Sequence, residues 1–281
     1  MKPEDFSFLC KLLYERTGLV LGTDKMYLIE SRLSPVARKW GMAGLDALTA
    51  GLRAGRDTEL LRDVSDAMMT NESLFFRDIK PFEQLKQVVL PKLQQTRAQK
   101  KVIRIWSAAC STGQEPYTLA MILCEDSSKY SDWKIEIVAT DISKEALDRA
   151  KSGTYTQFEV QRGLPINMLV KYFKQNGDKW QIDQKLRNMI QFREFNLLQD
   201  PGTLGQFDVV LCRNVLIYFD QSTKAGVLDR IAKLLAPDGV LYLGGAETVL
   251  GVSDKFAPLP GQRGVYGVVA DKLAPKQAVR A

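Results

Sequence analysis

Through the first seventy residues, apolar side chains recur at three- and four-residue intervals with almost no alternation, which predicts helices that each bury one face. Phe6, Leu9, Leu12 and Leu13 share one such face, and Gly18 with Gly22 mark its end. Met26, Ile29, Leu33, Val36 and Trp40 define a second helix from about Asp24, flanked by a basic stripe of Lys25, Arg32 and Lys39. Pro35 lies inside it and lacks a backbone donor, which predicts a kink, or a restart with Ser34 as cap. The stripe reads as a solvated flank, with docking of a partner as the alternative. Helices over Leu45 to Leu52 and Thr58 to Met69 complete an all-α N-terminal domain, residues 1–70.

The pattern changes at Asn71. Asn71 to Arg77, NESLFFR, sets two adjacent Phe behind three polar residues. Flexible linkers are poor in aromatics, so this segment is predicted to be ordered and pressed against the body of the protein. An amphipathic helix from Pro81 to Leu93 extends the connection over residues 71–95. The next stretch, Val102 to Tyr117 (VIRIWSAACSTGQEPY), alternates as a strand, turns through Ser111, Thr112 and Gly113, and starts a helix over Pro116 to Cys124. At the carboxyl end of a parallel strand such a corner leaves backbone N–H groups free, and small residues let a ligand approach closely. An ordinary tight turn explains one glycine equally well.

Trp133 to Asp141, WKIEIVATD, is a second alternating strand that ends in an acid. There Asp141 is placed to accept hydrogen bonds from a ribose diol, unless it merely caps the helix Ser143 to Lys151. The rhythm breaks between Tyr172 and Leu197. Asn176-Gly177 signals a type I′ turn, and its flanks, Lys179 to Ile182 and Asn188 to Phe195, alternate enough to be strands of a small antiparallel insertion at about 172–195. The Asn196 amide that follows offers the donor and acceptor an adenine edge requires. Phe207 to Leu211 is nearly all apolar, as in a central strand buried on both faces, and delivers Arg213, Asn214 and then Tyr218 to the same rim. A helix over Ser222 to Leu235, a turn at Pro237-Asp238-Gly239, a strand Val240 to Gly244 and one hairpin strand within Lys255 to Val269 finish the body. This body spans residues 96–270, and a flexible tail is expected over 271–281.

Composition narrows the chemistry. The 281 residues include no histidine, which removes Ser-His-Asp triads, Cys-His pairs, histidine bases and most catalytic zinc sites together. Any reaction must use a nucleophile already competent near neutral pH, or a carboxylate, Lys, Tyr or Cys base. Cys10, Cys110, Cys124 and Cys212 are too scattered for a CxxC pair, so buried thiols are expected rather than a metal site or a disulfide framework. No run of about 18 apolar residues occurs and MKPEDFSF lacks a signal-like stretch, so a cytoplasmic protein that is not inserted in a membrane is expected. The net charge of +6 suits acidic partners, but much of it falls in Lys86 to Lys101 and the tail, where a solvated face suffices.

Five motifs in order, NESLFFR, RIWSAACSTGQEPY, ATDIS, FNLL and CRNVLIYF, sit behind the helical region and together resemble the CheR family of chemoreceptor glutamate methyltransferases over about residues 5–268. The resemblance implies an α/β fold: a doubly wound, mainly parallel sheet of the methyltransferase type with a small antiparallel β-subdomain inserted. It implies S-adenosylmethionine as cofactor, no metal, and as partner the cytoplasmic helical bundle of methyl-accepting receptors, to whose membrane arrays the enzyme is recruited. The family's cofactor contacts fall on Asn71, Ser73, Arg77, Glu115, Asp141, Asn196, Leu197, Asn214 and Val215, with Arg77 and Tyr218 at the methyl-transfer end. Ser73 stands where many relatives have Thr, which keeps the hydroxyl. The short Asn176-Gly177-Asp178 turn, where receptor-tail binders have a longer glycine-rich one, implies independence from a receptor C-terminal pentapeptide. Gly244-Gly245-Ala246-Glu247 replaces the usual Ser before the acid, and Pro35 interrupts the basic helix expected to face the receptor.

Other readings compete. A nicotinamide-dependent oxidoreductase would share the sheet, but G-x-G-x-x-G is missing and STGQE carries a glutamate. A nucleic-acid methyltransferase fits the charge but lacks an NPPY-type tetrapeptide. A non-catalytic S-adenosylmethionine-binding module, or an enzyme with another acceptor, would keep the same pocket.

Overall fold

The computed structural model describes residues 1–55 and 57–272. Pro3 opens helix α1 (Pro3–Thr17), where its fixed φ suits the first turn, and Gly18 ends it at φ +77, with its N–H on the Tyr14 carbonyl. Helices α2 (Met26–Lys39), α3 (Leu45–Ala54) and α4 (Thr58–Met68) follow, α4 starting where the Asp57 carboxylate accepts the Glu59 and Leu60 N–H groups. Leu9, Leu13, Ile29, Leu33, Leu48, Leu60, Val64 and Met68 close one core between them.

Two expectations here are corrected. Helix α2 runs through Pro35 without restarting, and the Ser34 hydroxyl donates to the Glu30 carbonyl at 2.5 Å instead of capping. Burial of Leu33, Val36 and Ala37 on both sides of the proline holds the helix in one piece. The basic stripe is not uniform: Lys25 pairs with Asp24 and Lys39 with Asp63 on the surface, but Arg32 turns inward. Its guanidinium donates to the carbonyls of Met68 (2.7 Å) and Met69 (3.1 Å) and to the Thr70 hydroxyl, satisfying the open end of α4.

The connecting segment is ordered because Phe75 is fully buried, edge-on to Tyr155 at 5.0 Å and Phe173 at 5.6 Å. Phe76, Asp78 and Ile79 all take positive φ, which lets the chain double back into helix α5 (Lys80–Gln84). A π-helical turn, Leu85–Val89, leads on to α6 (Leu90–Thr96), so the expected single helix is longer and widened just before Pro91.

Ten strands follow among the described residues: β1 (Val102–Ala108), β2 (Lys134–Asp141), β3 (Thr154–Thr156), β4 (Phe173–Asn176), β5 (Lys179–Ile182), β6 (Ile190–Glu194), β7 (Phe207–Cys212), β8 (Leu235–Leu243), β9 (Phe256–Pro258) and β10 (Val265–Val268). The large sheet has the order β6-β2-β1-β7-β8-β10-β9, with β6 through β8 parallel, β10 antiparallel to β8 and β9 antiparallel to β10. Alternating side chains serve its two faces: Ile103 and Ile105 of β1 meet helix α7 (Gln114–Glu125) on one side, and Trp106 and Ala108 meet helix Gln221–Leu234 on the other. The small antiparallel sheet has the order β3-β5-β4.

The Asn188 to Phe195 stretch does contain a strand, β6, but it joins β2 in the large sheet, and the third strand of the small sheet is β3. Alternation reveals a half-buried strand without saying which sheet receives it; here Phe192 packs on Tyr117 of α7. Pro237-Asp238-Gly239 lies within β8 as an irregularity opposite β7, and the last segment contributes two strands rather than one. The expected tail lies, from residue 273 on, outside the described residues. Among the described residues no helix is long and apolar enough to cross a membrane.

Candidate active site

The carboxyl ends of β1, β2 and β7 open on one cavity that is partly open to solvent. At the β1 corner Ala109, Ser111 and Gly113 alternate into positive φ (56°, 51° and 95°), a conformation uncommon for side-chain-bearing residues. Ala109, Cys110 and Ser111 line the cavity. Gly113 lies beneath it: a Cβ there would sit 2.9 Å from the Ala150 Cβ and 3.1 Å from the Tyr155 hydroxyl. The glycine is thus required by packing on helix α8 (Lys144–Ser152) and the small sheet, which corrects the expectation that it makes room for a ligand.

Asp141, at the tip of β2, is 6% exposed. Its carboxylate accepts the Ser111 N–H at 2.7 Å and the Ser143 N–H at 2.9 Å. Helix α8 has its own cap, the Ser143 hydroxyl, which accepts the Ala146 N–H. Asp141 is therefore not its capping side chain. Burial pushes the Asp141 carboxyl above its usual range, and the amides pull it partly back. Two backbone donors leave room on a carboxylate with about four lone-pair sites for a further donor pair such as a diol.

Glu115, in the first turn of α7, accepts the Ser107 hydroxyl at 2.8 Å and a guanidinium N–H of Arg213 at 2.9 Å. The Arg213 side chain is 1% exposed and also donates to the Arg77 carbonyl at 2.9 Å and to Asp78 at 2.6 Å. One buried cation thus ties the β1 corner to the incoming segment. The sequence placed Arg213 on this rim but did not reveal its partners. The Arg77 guanidinium itself makes a bond to the Glu72 carbonyl at 3.2 Å and lines the cavity.

The Asn196 amide donates to the Arg16 carbonyl at 2.7 Å and accepts the Leu198 N–H at 3.0 Å, which fastens α1 to the core. One amide N–H and one carbonyl lone pair remain for a ligand. Beside this contact a Cβ on Gly18 would lie 3.0 Å from Phe219, and the Tyr218 carbonyl accepts the Val20 N–H at 3.1 Å. The helical bundle consequently supplies cavity wall through Thr17, Leu19, Met68, Met69 and Thr70. Asn71, Ser73, Arg77, Glu115, Asp141, Asn196, Leu197, Asn214, Val215 and Tyr218 all line the same cavity.

The carboxylates of Glu115 and Asp141, the guanidinium of Arg77 and apolar walls from Leu19, Met68, Phe195 and Leu197 suit a ligand with a diol, an amino acid end and a flat apolar part. With the antiparallel β10 beside β8, these features define an S-adenosylmethionine-dependent methyltransferase. Residues 71–265 match the CheR methyltransferase S-adenosylmethionine-binding domain and residues 4–69 the CheR methyltransferase all-alpha domain, and the chain belongs to the CheR methyltransferase family. It is 39% identical over 259 residues to chemotaxis protein methyltransferase 1 of Vibrio cholerae, covering 91% of this chain and 93% of that protein. Identity to chemotaxis protein methyltransferase 1 of Pseudomonas aeruginosa is 41%, with 90% and 93% covered. The chemotaxis protein methyltransferase of Salmonella typhimurium is 33% identical, with 95% and 91% covered.

Proposed function

We propose that this protein esterifies specific glutamate side chains on the cytoplasmic helical bundle of methyl-accepting chemoreceptors, the reaction of chemotactic adaptation, and is recruited to receptor arrays through those receptors. The observation that carries the reading is the convergence on one cavity of ten positions drawn from separate chain segments. Asn71, Ser73, Arg77, Glu115, Asp141, Asn196, Leu197, Asn214 and Val215 would hold S-adenosylmethionine, and Arg77 and Tyr218 would face the transfer site. When bound, the sulfonium supplies an electrophilic methyl group.

The chain's own residues then have little proton chemistry to perform. A glutamate side chain, with a pKa of about 4.3, arrives ionised and needs no base, in keeping with a protein without histidine. Asp141 keeps lone pairs for the ribose, and Arg77 offers a cation to a carboxylate. Asn196 keeps one amide N–H and one lone pair for the cofactor while its other two bonds fix Leu198 and the α1 wall. Rate then comes from alignment and from water excluded behind Leu19, Met68 and Tyr218. The two-residue connection Gly177-Asp178 between β4 and β5 supports independence from a receptor C-terminal pentapeptide; tight binding of the isolated pentapeptide in calorimetry would overturn that part.

The test is incubation with labelled S-adenosylmethionine and membranes carrying each candidate receptor. Base-labile label on a receptor is expected. Cofactor binding with no transfer to any receptor would leave a cofactor-binding module or an enzyme with another acceptor.

A further inference from the structure

Glu247 lies outside the cavity, in the turn after β8, yet its carboxylate holds four backbone N–H groups. One oxygen accepts those of Gly244 (2.7 Å) and Asn214 (2.8 Å), the other those of Val215 (2.9 Å) and Ile217 (3.2 Å). An ionised carboxylate has about four lone-pair sites, so this one is full and has no capacity left for a ligand. Three of its four partners belong to the turn after β7, which carries Asn214, Val215 and Tyr218 toward the cavity.

That turn needs an external hold. Asn214 sits at φ +60, in the left-handed region. Its amide, with those of Val215 and Ile217, converges on a single point, an arrangement that strand pairing does not satisfy and that a carboxylate does. Gly244 makes the approach possible: a Cβ there would lie 2.7 Å from Glu247 Oε2, 2.7 Å from Asn214 Nδ2 and 2.9 Å from the Asn214 nitrogen.

We infer that Glu247 is a positioning residue for cofactor binding and methyl transfer: its carboxylate fixes the Asn214–Tyr218 turn in the conformation that presents Asn214, Val215 and Tyr218 to the cavity. This rests on the assignment of that cavity to S-adenosylmethionine. Glu247→Gln keeps the shape but turns one acceptor into an N–H₂ donor, which sets it against two of the four amides. Calorimetry with S-adenosylhomocysteine should give a Kd raised at least tenfold, and KM for S-adenosylmethionine should rise with it. Glu247→Asp, which retains both acceptor oxygens on a shorter arm, should fall between the two.

A role in fold stability alone would lower the melting temperature and the binding stoichiometry but leave the Kd and KM of the folded molecules at wild-type values; that result overturns the inference. If the wild type itself does not bind S-adenosylhomocysteine, the cavity assignment falls and this inference falls with it; wild-type binding with an unchanged variant sinks the inference alone. A reading independent of variant folding is amide hydrogen exchange in the wild type. The Asn214, Val215, Ile217 and Gly244 amides should be protected, and protected further by S-adenosylhomocysteine; exchange at the rate of open loop amides removes the clamp.

Discussion

Strand β7 has an arginine between two carboxylates at each end, and the two clusters do different work. At the amino end Arg97 donates to Asp208 at 2.8 Å and twice to Asp238, at 2.9 and 2.5 Å, while Asp208 also accepts the Arg104 N–H. The hydrogen bonds to Asp238 chiefly hold the Arg97 pKa above its ordinary value. The carboxylates there come from the strands themselves and the cluster staples the end of α6 to the sheet. At the carboxyl end Arg213 is more deeply buried, its Nε has no partner among the described residues, and its carboxylates come from the incoming segment and the β1 corner. Similar ions give a staple where they join finished elements and a positioning device where the joined segments also face a ligand.

This contrast can be broken by substitution. Arg213→Met leaves Glu115 and Asp78 without their cation and should cost about 3 kcal/mol of stability, read by denaturant unfolding, with cofactor affinity lost in the molecules that remain folded. Arg77→Ala should lower methyl transfer on the order of 100-fold with an unchanged melting temperature; near-normal turnover would remove Arg77 from the transfer site. Arg97→Met should cost about 1–2 kcal/mol, since the site is partly solvated, and leave kcat/KM unchanged. A changed KM there would erase the distinction between the two ends.

The smallest effect concerns an acid that faces other acids instead of an arginine. Asp66 of α4 is pushed up to about 6, first by burial and then by Glu145 and Glu194, against hydrogen bonds from the Glu145 amide and Ser143. Its folded pKa lies above the unfolded value of about 3.9, so the folded state binds the extra proton between these limits. Asp66 therefore weakens the fold above pH 6, and that penalty fades as pH falls. Asp66→Asn should raise the melting temperature at pH 7.5 by a few degrees at most, the gain shrinking toward pH 4.5 in scanning calorimetry. A gain independent of pH would show that the side chain's charge is not the cause.

What was legible in the sequence was local. The alternation of Val102 to Ala108, the acid at the end of β2 and the apolar run of β7 are written in consecutive residues, and each stands where it was expected. The motif positions converged on one cavity because they lie in the entering segment or in the turns and helix start that follow the carboxyl ends of the parallel strands. Partnerships were not legible: Arg213 meets Glu115 across 98 positions and Asn214 meets Glu247 across 33, distances over which no periodicity carries information. The same holds for Asn196, whose amide meets the Arg16 carbonyl across 180 positions. For Gly113 the sequence offered close approach of a ligand or an ordinary tight turn, and only tertiary packing shows what crowds its missing side chain.

The left-handed glycine at the end of α1 sets the bundle directly onto Phe219, next to Tyr218. A protein that gripped the bundle would therefore tug on the wall of the cavity proposed for the methyl donor. Capture of the acceptor and retention of the donor would then share one mechanical linkage, and a polypeptide begun at Asn71 would lack it.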